Sequence, residues 1–314
     1  MQRLMPALFT PAFLTVPLPG GRTLGLTRYG NPAHRAVVYQ HGFGTSGRAL
    51  PPDAALLARL QLQILAPDRP GGGQSSVYRP LTFPSFADDV VAMLEALEIR
   101  GPVGVMGWSV GGVHALALAA RHPARVAAVQ LLSTCLPLGE PAAYRHLSPL
   151  WKLLRWGQLG FPWLNRTTFL WLSRQWRRHP DRTINWFIRG MRSEEARVTA
   201  RHRVLLRDAA VAGFANLGRG VYDDAQAWCR PPGFRIEDVR APVRLWHGQA
   251  DGVWGPGNIP YLAERLGGAP VHLLPGQGHM LYLENWTAIL EEMSGMLDGQ
   301  IALHSEQSEE PYHA

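Results

Sequence analysis

Short apolar runs and longer segments of helical spacing alternate along the first 135 residues. Residues 36–40, 63–66 and 103–106 are apolar runs of strand length, and each ends at a glycine-rich or polar loop. Residues 86–97 instead place Val90, Leu94 and neighbouring apolar residues on one helical side. With helices also expected over 54–60 and 111–121 and a strand over 126–132, this order predicts a mostly parallel sheet covered by helices on both faces.

The two ends of the chain continue the strand pattern. Residues 13–17 and 24–29 predict an opening antiparallel pair, with Pro19-Gly20-Gly21 as its turn. Near the other end, strands are expected over 243–246 and 271–274, with helices over 258–266 and 282–297. We therefore expect one core domain, formed by residues 1–135 and 227–300.

The segment between these parts has a different composition. Residues 136–226 read as several helices rich in Trp and Arg, which predicts an inserted helical cap, and residues 301–314 predict a disordered tail. The formal net charge is +7, and positions 137–225 hold 15 Lys+Arg against 7 Asp+Glu. Such a basic surface attracts anionic substrates, membrane head groups or nucleic acid. No nucleic-acid module accompanies it, so we favour a solvated face and expect no nucleic-acid partner.

Few features of the sequence indicate the cellular compartment. Cys135 and Cys229 lack metal-like or redox-like spacing and read as reduced thiols, so we expect a cytoplasmic protein. Four prolines interrupt the apolar start of the chain, which disfavours a signal peptide. No stretch reaches the ~20 apolar residues of a spanning helix, so no stable membrane insertion is expected. The sequence leaves the oligomeric state open.

The pentapeptide Gly107-Trp108-Ser109-Val110-Gly111 is the strongest chemical signal. It follows a buried-strand run and opens a helix, the context in which G-x-S-x-G exposes a nucleophilic serine on a sharp turn. Side chains at the two glycine positions would collide with neighbouring strands, and the helix N-terminus favours a developing oxyanion. We therefore predict Ser109 as a nucleophile.

A serine nucleophile needs a base and an acid that orients the base. Asp251 follows the strand expected at 243–246, and His279 follows the one expected at 271–274. Both would reach the same sheet edge as Ser109, in the order Ser, Asp, His. Asp223 and Asp224 are rival acids, but we expect them to cap a helix or pair with the arginine-rich cap. His41, His114, His122, His247 and His272 are expected in packing or surface roles.

The loop His41-Gly42-Phe43-Gly44 ends an early strand. Its small residues let a backbone N–H face the site, so Phe43 and Val110 are the expected oxyanion donors. The loop from Asp68 to Ser75 is assigned no catalytic role. No cofactor and no metal ligand set is expected.

From about Phe13 to Leu297 the chain resembles the α/β-hydrolase superfamily, and within it capped bacterial esterase-like hydrolases. The matching segments are His41-Gly42-Phe43-Gly44, Asp68-Arg69-Pro70-Gly71-Gly72-Gly73-Gln74-Ser75, Gly107 to Gly111, His247-Gly248-Gln249-Ala250-Asp251 and Gly278-His279. The resemblance implies an eight-stranded-type sheet with an inserted lid, and a triad of Ser109, Asp251 and His279 without a cofactor.

Departures from related families narrow the reaction. Ser109 replaces the aspartate nucleophile of similar dehalogenases and epoxide hydrolases. The His41–Gly44 loop lacks the Gly-Pro-Gly typical of proline iminopeptidases and carbon–carbon bond hydrolases. We expect hydrolysis of a moderately hydrophobic small-molecule ester. An amide, thioester or carbon–carbon hydrolase with the same triad, or a receptor of low turnover, are the alternatives.

The predicted cap contains six of the 11 tryptophans. Packing within the cap is the expected role of most of them, and lining an apolar pocket is the alternative. Trp108 and Met280 flank triad residues and are expected to line that pocket. The alternation of Trp with Arg over 171–178 also suits a cap resting on a membrane surface.

Overall fold

The computed structural model of the protein describes residues 11–308, with side chains up to residue 299. Residues 1–10, the first half of the segment considered as a signal peptide, lie outside the described residues. Within the described chain no helix is both long and apolar enough to cross a membrane. Cys135 and Cys229 are both buried and unbridged.

One twisted sheet of eight strands, counted over the described residues, organises the fold. Its spatial order is β1-β2-β4-β3-β5-β6-β7-β8. The first two strands pair antiparallel, as expected, and β3 to β8 run parallel. The strands are β1 (Ala12–Leu18), β2 (Arg22–Tyr29), β3 (Arg35–Gln40), β4 (Leu62–Pro67), β5 (Val103–Trp108), β6 (Val126–Leu132), β7 (Val243–Gly248) and β8 (Val271–Leu274).

Helices cover both faces of this sheet, which confirms the predicted fold class. Successive residues of a central strand belong to different cores, since Val38 packs on one side while Val37 and Tyr39 pack on the other. The helices are α1 (Ala54–Arg59), α2 (Phe83–Ala96), α3 (Val110–Arg121), α4 (Pro141–Tyr144), α5 (Pro149–Gly160), α6 (Pro162–Arg178), α7 (Pro180–Arg189), α8 (Ser193–Arg201), α9 (Arg203–Gly213), α10 (Arg219–Cys229), α11 (Ile259–Arg265) and α12 (Trp286–Ser308).

The chain between β6 and β7 is helical throughout. Residues 133–242 are all described, and they contain the seven helices α4 to α10 and no strand. Four of these helices, α4 to α7, start with proline, whose fixed φ and missing N–H suit the first helical position. This segment lies on the chain between two adjacent parallel strands, so it emerges at the edge of the sheet where β6 ends.

The C-terminal prediction was wrong over part of its range. We expected disorder from residue 301, but α12 continues to Ser308, and residues 309–314 lie outside the described residues. The physical reason is that adding residues to an existing helix is far easier than nucleating one, and this stretch contains no proline. A polar composition alone therefore did not mark the end of the helix.

Candidate active site

Ser109 occupies a strained turn between β5 and α3. Its backbone lies at φ 57° and ψ −123°, a region that residues with a side chain rarely adopt. Val110 follows as the first residue of α3, where a backbone N–H has no acceptor within the helix. The turn therefore presents the Ser109 side chain and the Val110 amide at the carboxyl edge of the sheet.

The two glycines of the pentapeptide are required by close approach. A side chain at Gly111 would overlap the carbonyl of Gln40 at the end of β3, as expected from a clash with a neighbouring strand. A side chain at Gly107 would instead overlap the backbone of Gly111 and Gly112 in α3. The expectation of a strand clash was therefore right for Gly111 and wrong for Gly107, where the following helix is the obstacle.

Asp251 and His279 come from the loops that follow β7 and β8, and they are hydrogen-bonded. The distance from His279 Nδ1 to Asp251 Oδ2 is 2.8 Å, and both side chains are buried. The other carboxylate oxygen, Oδ1, accepts backbone N–H groups of Val253 at 2.9 Å and Trp254 at 2.7 Å. Asp251 is thus fixed by its own loop and can in turn fix the orientation of the imidazole.

The His279 loop is also tied to the turn that carries Ser109. The indole Nε1 of Trp108 donates to the backbone carbonyl of His279 at 3.0 Å, and the two rings lie 5.6 Å apart. The residue before the expected nucleophile therefore anchors the residue expected as its base. This contact brings the β5 and β8 loops together at one end of the sheet.

Two imidazoles approach the carboxylate of Asp251. Burial alone would raise the pKa of Asp251, but the charge and hydrogen bond of His279 and the Trp254 amide hold it below its ordinary value. His247 Nε2 lies 3.5 Å from Asp251 Oδ2 and 2.8 Å from the Trp254 carbonyl. Burial lowers the pKa of His247, so this second imidazole is neutral at pH 7 and leaves His279 as the main partner of the carboxylate.

The His41–Gly44 loop is held from behind by a buried arginine. The Arg69 guanidinium donates to the carbonyls of His41 and Gly42, each at 2.8 Å. In a trans peptide the C=O and the following N–H point in opposite directions, so fixing the Gly42 carbonyl aims the Phe43 N–H away from Arg69. A side chain at Gly42 would lie 2.5 Å from the Trp108 ring, which explains the glycine.

Arg69 is in turn held by a carboxylate from α10. Its Nε lies 3.0 Å from Asp224 Oδ2, and His114 Nε2 lies 3.0 Å from Asp224 Oδ1, with all three side chains almost fully buried. Burial lowers the pKa of His114 to about 4, so this histidine is neutral at pH 7. Burial opposes ionisation of Asp224, but the charge of Arg69 and the His114 hydrogen bond hold its pKa below the ordinary value. The ion pair is therefore charged inside the protein.

Sequence reasoning missed this network. We assigned the Asp68–Ser75 loop no role, but its Arg69 fixes the candidate oxyanion loop. We expected Asp223 and Asp224 to cap a helix or pair with cap arginines, whereas Asp223 pairs with Arg79 at 2.8 Å and Asp224 with Arg69. Both arginines precede the cap in the chain. The sequence feature that could have indicated this network is Arg69, an arginine shortly after a buried strand and next to a glycine-rich turn.

An apolar cavity of about 250 Å³ adjoins the site. Trp108 and Met280 line this cavity, and the Phe43 side chain contributes as well. The cap side of the cavity is formed by Phe169, Leu172, Trp176, Ile184, Phe187, Met191, Thr199, Leu206, Ala210 and Phe214. Ligand cavities are commonly 300–1,000 Å³, so this one suits a small, largely apolar group.

The cap tryptophans divide into two groups. Trp176 is buried and lines the cavity, and Trp151 packs against Trp228 and Trp254. The other four are more than half exposed and do not line the cavity: Trp156, Trp163, Trp171 and Trp186. Trp156 and Trp186 each pack edge to face on a neighbouring phenylalanine of the cap. Packing within the cap therefore leaves most of the six largely exposed, which was not expected.

The remaining histidines have structural surroundings, as expected. His41 is buried beside the oxyanion loop, with its Nδ1 2.9 Å from the Gly42 carbonyl. His122 contacts Asp88 at 2.8 Å, and His272 contacts Glu292 at 2.7 Å at the edge of the sheet. In each of these three rings, a nitrogen makes a polar contact with a neighbouring residue.

Comparison with known proteins finds relatives that are named as hydrolases. The family described as alpha/beta hydrolase fold matches residues 35–285. The pimeloyl-[acyl-carrier protein] methyl ester esterase of Aromatoleum aromaticum is 28% identical over 272 residues, covering 82% of this chain and 97% of the relative. The enzyme of the same name from Neisseria meningitidis is 36% identical over 104 residues, but that match spans only 32% of this chain and 37% of the relative.

A solved structure shares the whole architecture. A thermophilic esterase from Thermogutta terrifontis superposes with a TM-score of 0.67 over 93% of this chain and 99% of that one, at 19% identity. At this level of identity the likeness concerns the fold.

Proposed function

The chain belongs to the α/β-hydrolase fold family, and on that premise we propose that it is a hydrolase that cleaves carboxylic esters of moderately hydrophobic small molecules through an acyl-enzyme. The observation that carries the proposal is the 2.8 Å bond between His279 Nδ1 and Asp251 Oδ2, at the sheet edge where Ser109 adopts its strained turn. The names of the methyl ester esterase relatives support an ester as the substrate class.

In the proposed first step, Ser109 Oγ attacks the ester carbonyl carbon while His279 takes the hydroxyl proton. Asp251 keeps the proton on Nδ1 of His279, so that Nε2 is the basic nitrogen, and it stabilises the imidazolium that forms. The amides of Phe43 and Val110 bind the oxyanion, which Arg69 supports by orienting the loop. His279 then returns the proton to the departing alcohol, which leaves an ester of Ser109.

The second step reverses these roles with water. His279 accepts a proton from a water molecule, which attacks the acyl carbon, and then returns the proton to Ser109 as the acid product leaves. The apolar cavity lined by Trp108, Met280 and the cap residues would hold the hydrophobic part of the substrate. We further propose residues 136–226 as the cap that closes this pocket. In this proposal the core consists of the described residues on either side of the cap, 11–135 and 227–300.

The decisive variant is Ser109→Ala, assayed with a p-nitrophenyl ester. Removing a nucleophile of this kind typically lowers the rate by about 10⁶, while the melting temperature should stay close to that of the wild type. Ser133→Ala is the matched control, because Ser133 also has a positive φ and follows the neighbouring strand β6. It should retain activity. Full turnover in the Ser109→Ala protein would refute the mechanism.

A fluorophosphonate probe tests the nucleophile without assuming a substrate. It should label the wild type and Ser133→Ala but not Ser109→Ala. Parallel kinetics on an ester, a thioester and an anilide with the same acyl group then test the bond type. A faster thioester or anilide reaction would replace the ester proposal by one of those hydrolases. Labelling without turnover of any of them would favour a ligand receptor on this scaffold.

A further inference from the structure

The outer face of the cap hairpin, α5 and α6, is apolar where water would normally select polar residues. The exposed residues of α5, of the turn at Phe161 and of the first three positions of α6 are all apolar: Pro149, Leu150, Leu153, Leu154, Trp156, Leu159, Gly160, Phe161, Pro162, Trp163 and Leu164. The three polar side chains of α5 are buried or half-buried instead. This reverses the usual pattern of a surface helix, whose apolar stripe faces the core.

These residues form one continuous surface. Trp156 and Phe161 pack edge to face at 5.2 Å, and the Asn165 side chain donates to the carbonyls of Gly157 and Phe161, which closes the hairpin. Trp163 is 68% exposed and Trp156 is 61% exposed, although tryptophan is among the most buried residues on average. A clustered apolar patch of this kind marks a surface that is covered in use.

Contacts with neighbouring residues hold the polar groups of α5 on the inner side of the helix. Lys152 and Arg155 both lie over the ring of Tyr144, at 5.3 and 5.5 Å, and Arg155 Nε donates to the Cys229 carbonyl at 3.1 Å. Gln158 is buried, and its backbone carbonyl accepts a hydrogen bond from the side-chain Nε2 of Gln226 at 3.1 Å. Because these contacts fix the rotation of α5, its apolar side cannot turn inward.

The charged residues of the hairpin segment itself all have one sign. Residues 141–180 contain seven Lys+Arg and no Asp or Glu. On α6, Leu164, Trp171, Arg174 and Arg178 share one helical side, and all four are exposed. Among the described residues, no salt bridge involves Arg174, Arg177 or Arg178. The partner of this face must therefore be apolar and carry negative charge.

We propose that the α5–α6 hairpin docks on an anionic lipid surface. Exposed Trp and Leu side chains bordered by arginines match the depth profile of a bilayer interface, with apolar groups among the acyl chains and cations at the head groups. The described helices do not span a membrane, so the protein lies on the surface. An acidic protein is a poorer match, because the centre of the patch is apolar and its cations lie to one side.

The opposite side of the same helix lines the cavity. Phe169, Leu172 and Trp176 of α6 face the pocket, while Trp163 and Trp171 face outward. Docking would thus hold the cap against a layer in which hydrophobic molecules dissolve. The docking proposal itself does not depend on the proposed esterase activity, and Ser109→Ala should bind lipid as the wild type does.

Co-sedimentation with vesicles tests this surface. The wild type should bind phosphatidylglycerol-containing vesicles, bind phosphatidylcholine vesicles much more weakly, and lose affinity for the anionic vesicles as salt is raised. The combined variant Leu153→Ser, Trp156→Ser, Trp163→Ser should bind on the order of 100-fold more weakly, and Arg174→Gln, Arg177→Gln, Arg178→Gln by a similar factor. Both should turn over a water-soluble ester at the wild-type rate.

The control variant is Val271→Ser, Leu273→Ser, which removes exposed apolar side chains from the edge strand β8. It should bind vesicles like the wild type. Failure of the wild type to sediment with anionic vesicles would overturn the proposal, as would equal binding to neutral vesicles or full binding by either hairpin variant. Dimerisation in sedimentation velocity that the Leu153, Trp156, Trp163 variant abolishes, without lipid binding, would assign the face to a second copy of the chain.

Discussion

The candidate site and the outer face of the cap hairpin place their side chains in opposite environments. At the site, charged groups lie inside the protein and each is held by named partners, as in the chain from His114 through Asp224 and Arg69 to the Gly42 carbonyl. On the hairpin, apolar groups lie outside, and Trp163 is 68% exposed. Each region departs from the rule that apolar residues are inside and polar residues outside.

The two departures have different physical consequences. A buried ion pair stabilises only if every hydrogen bond is made, so removing one member leaves an unpaired charge in a poor dielectric. An exposed apolar side chain has little to lose when it is truncated, because it makes few contacts within the protein. The comparison therefore predicts that substitutions at the site destabilise the fold and that substitutions on the hairpin do not. Fold stability then does not account for the apolar residues of the hairpin, and a function of that surface does.

The largest contrast is expected between two adjacent residues of α10. Asp224→Asn removes the charge that neutralises buried Arg69, and breaking such a pair typically costs 3–5 kcal/mol of the free energy of unfolding. Asp223→Asn is the matched control, because its partner Arg79 is 44% exposed and the pair should contribute no more than about 1 kcal/mol. Denaturant unfolding of the two variants measures the difference.

The same two variants also distinguish an effect on the position of the oxyanion loop from an effect on stability alone. If Arg69 orients the Phe43 amide, the folded Asp224→Asn protein should lose on the order of 10- to 100-fold in kcat, with a smaller change in KM. Asp223→Asn should keep the wild-type kcat. An Asp224→Asn enzyme that is destabilised but turns over normally would show that the network supports the fold and not the oxyanion loop.

The sequence revealed the site better than it revealed the network behind it. Ser109, Asp251 and His279 lie in loops after β5, β7 and β8, and such loops can be located from strand patterns and glycines. Arg69 and Asp224 are 155 positions apart, and neither belongs to a local pattern. Their pairing depends on how α10 returns to the core, which is a tertiary property that periodicity does not encode.

The cap shows the same limit. Its helical character could be predicted, but the direction each helix faces could not. On α5, the spacing of Leu150, Leu153 and Leu154 predicts an apolar side that would normally pack inward. In the structure that side is exposed, because Lys152 and Arg155 are fixed on Tyr144. Composition thus identified a Trp- and Arg-rich segment without showing which tryptophans face solvent.

A smaller effect on the free energy of unfolding is expected from the titration of His114, and this effect depends on pH. Its pKa in the folded protein is about 4, below the ordinary value of about 6.5, so the unfolded chain binds a proton that the folded protein does not. The stability from this group is complete above pH 6.5 and is lost as the pH falls through 4, by roughly 3 kcal/mol in total.

The variant His114→Gln isolates this contribution, because glutamine does not titrate. Its free energy of unfolding should fall less than that of the wild type between pH 6.5 and 4.5. Asp68, whose pKa burial raises to about 6, acts in the opposite sense over the same range but is common to both proteins. Parallel pH dependences for the two proteins would contradict the assignment of a neutral, buried His114.

The smallest effect is expected on the outer face, where two tryptophans of α6 form a matched pair. Trp176 is 4% exposed and stacks on Phe187, with ring centroids 5.6 Å apart, so Trp176→Ala should cost about 3–5 kcal/mol of the free energy of unfolding. Trp163 is 68% exposed, and Trp163→Ala should change it by less than about 0.5 kcal/mol. Denaturant unfolding of both variants at low protein concentration measures this. A loss of several kcal/mol for Trp163→Ala would mean that the hairpin is already covered in the free protein, and the contrast between the two regions would then disappear.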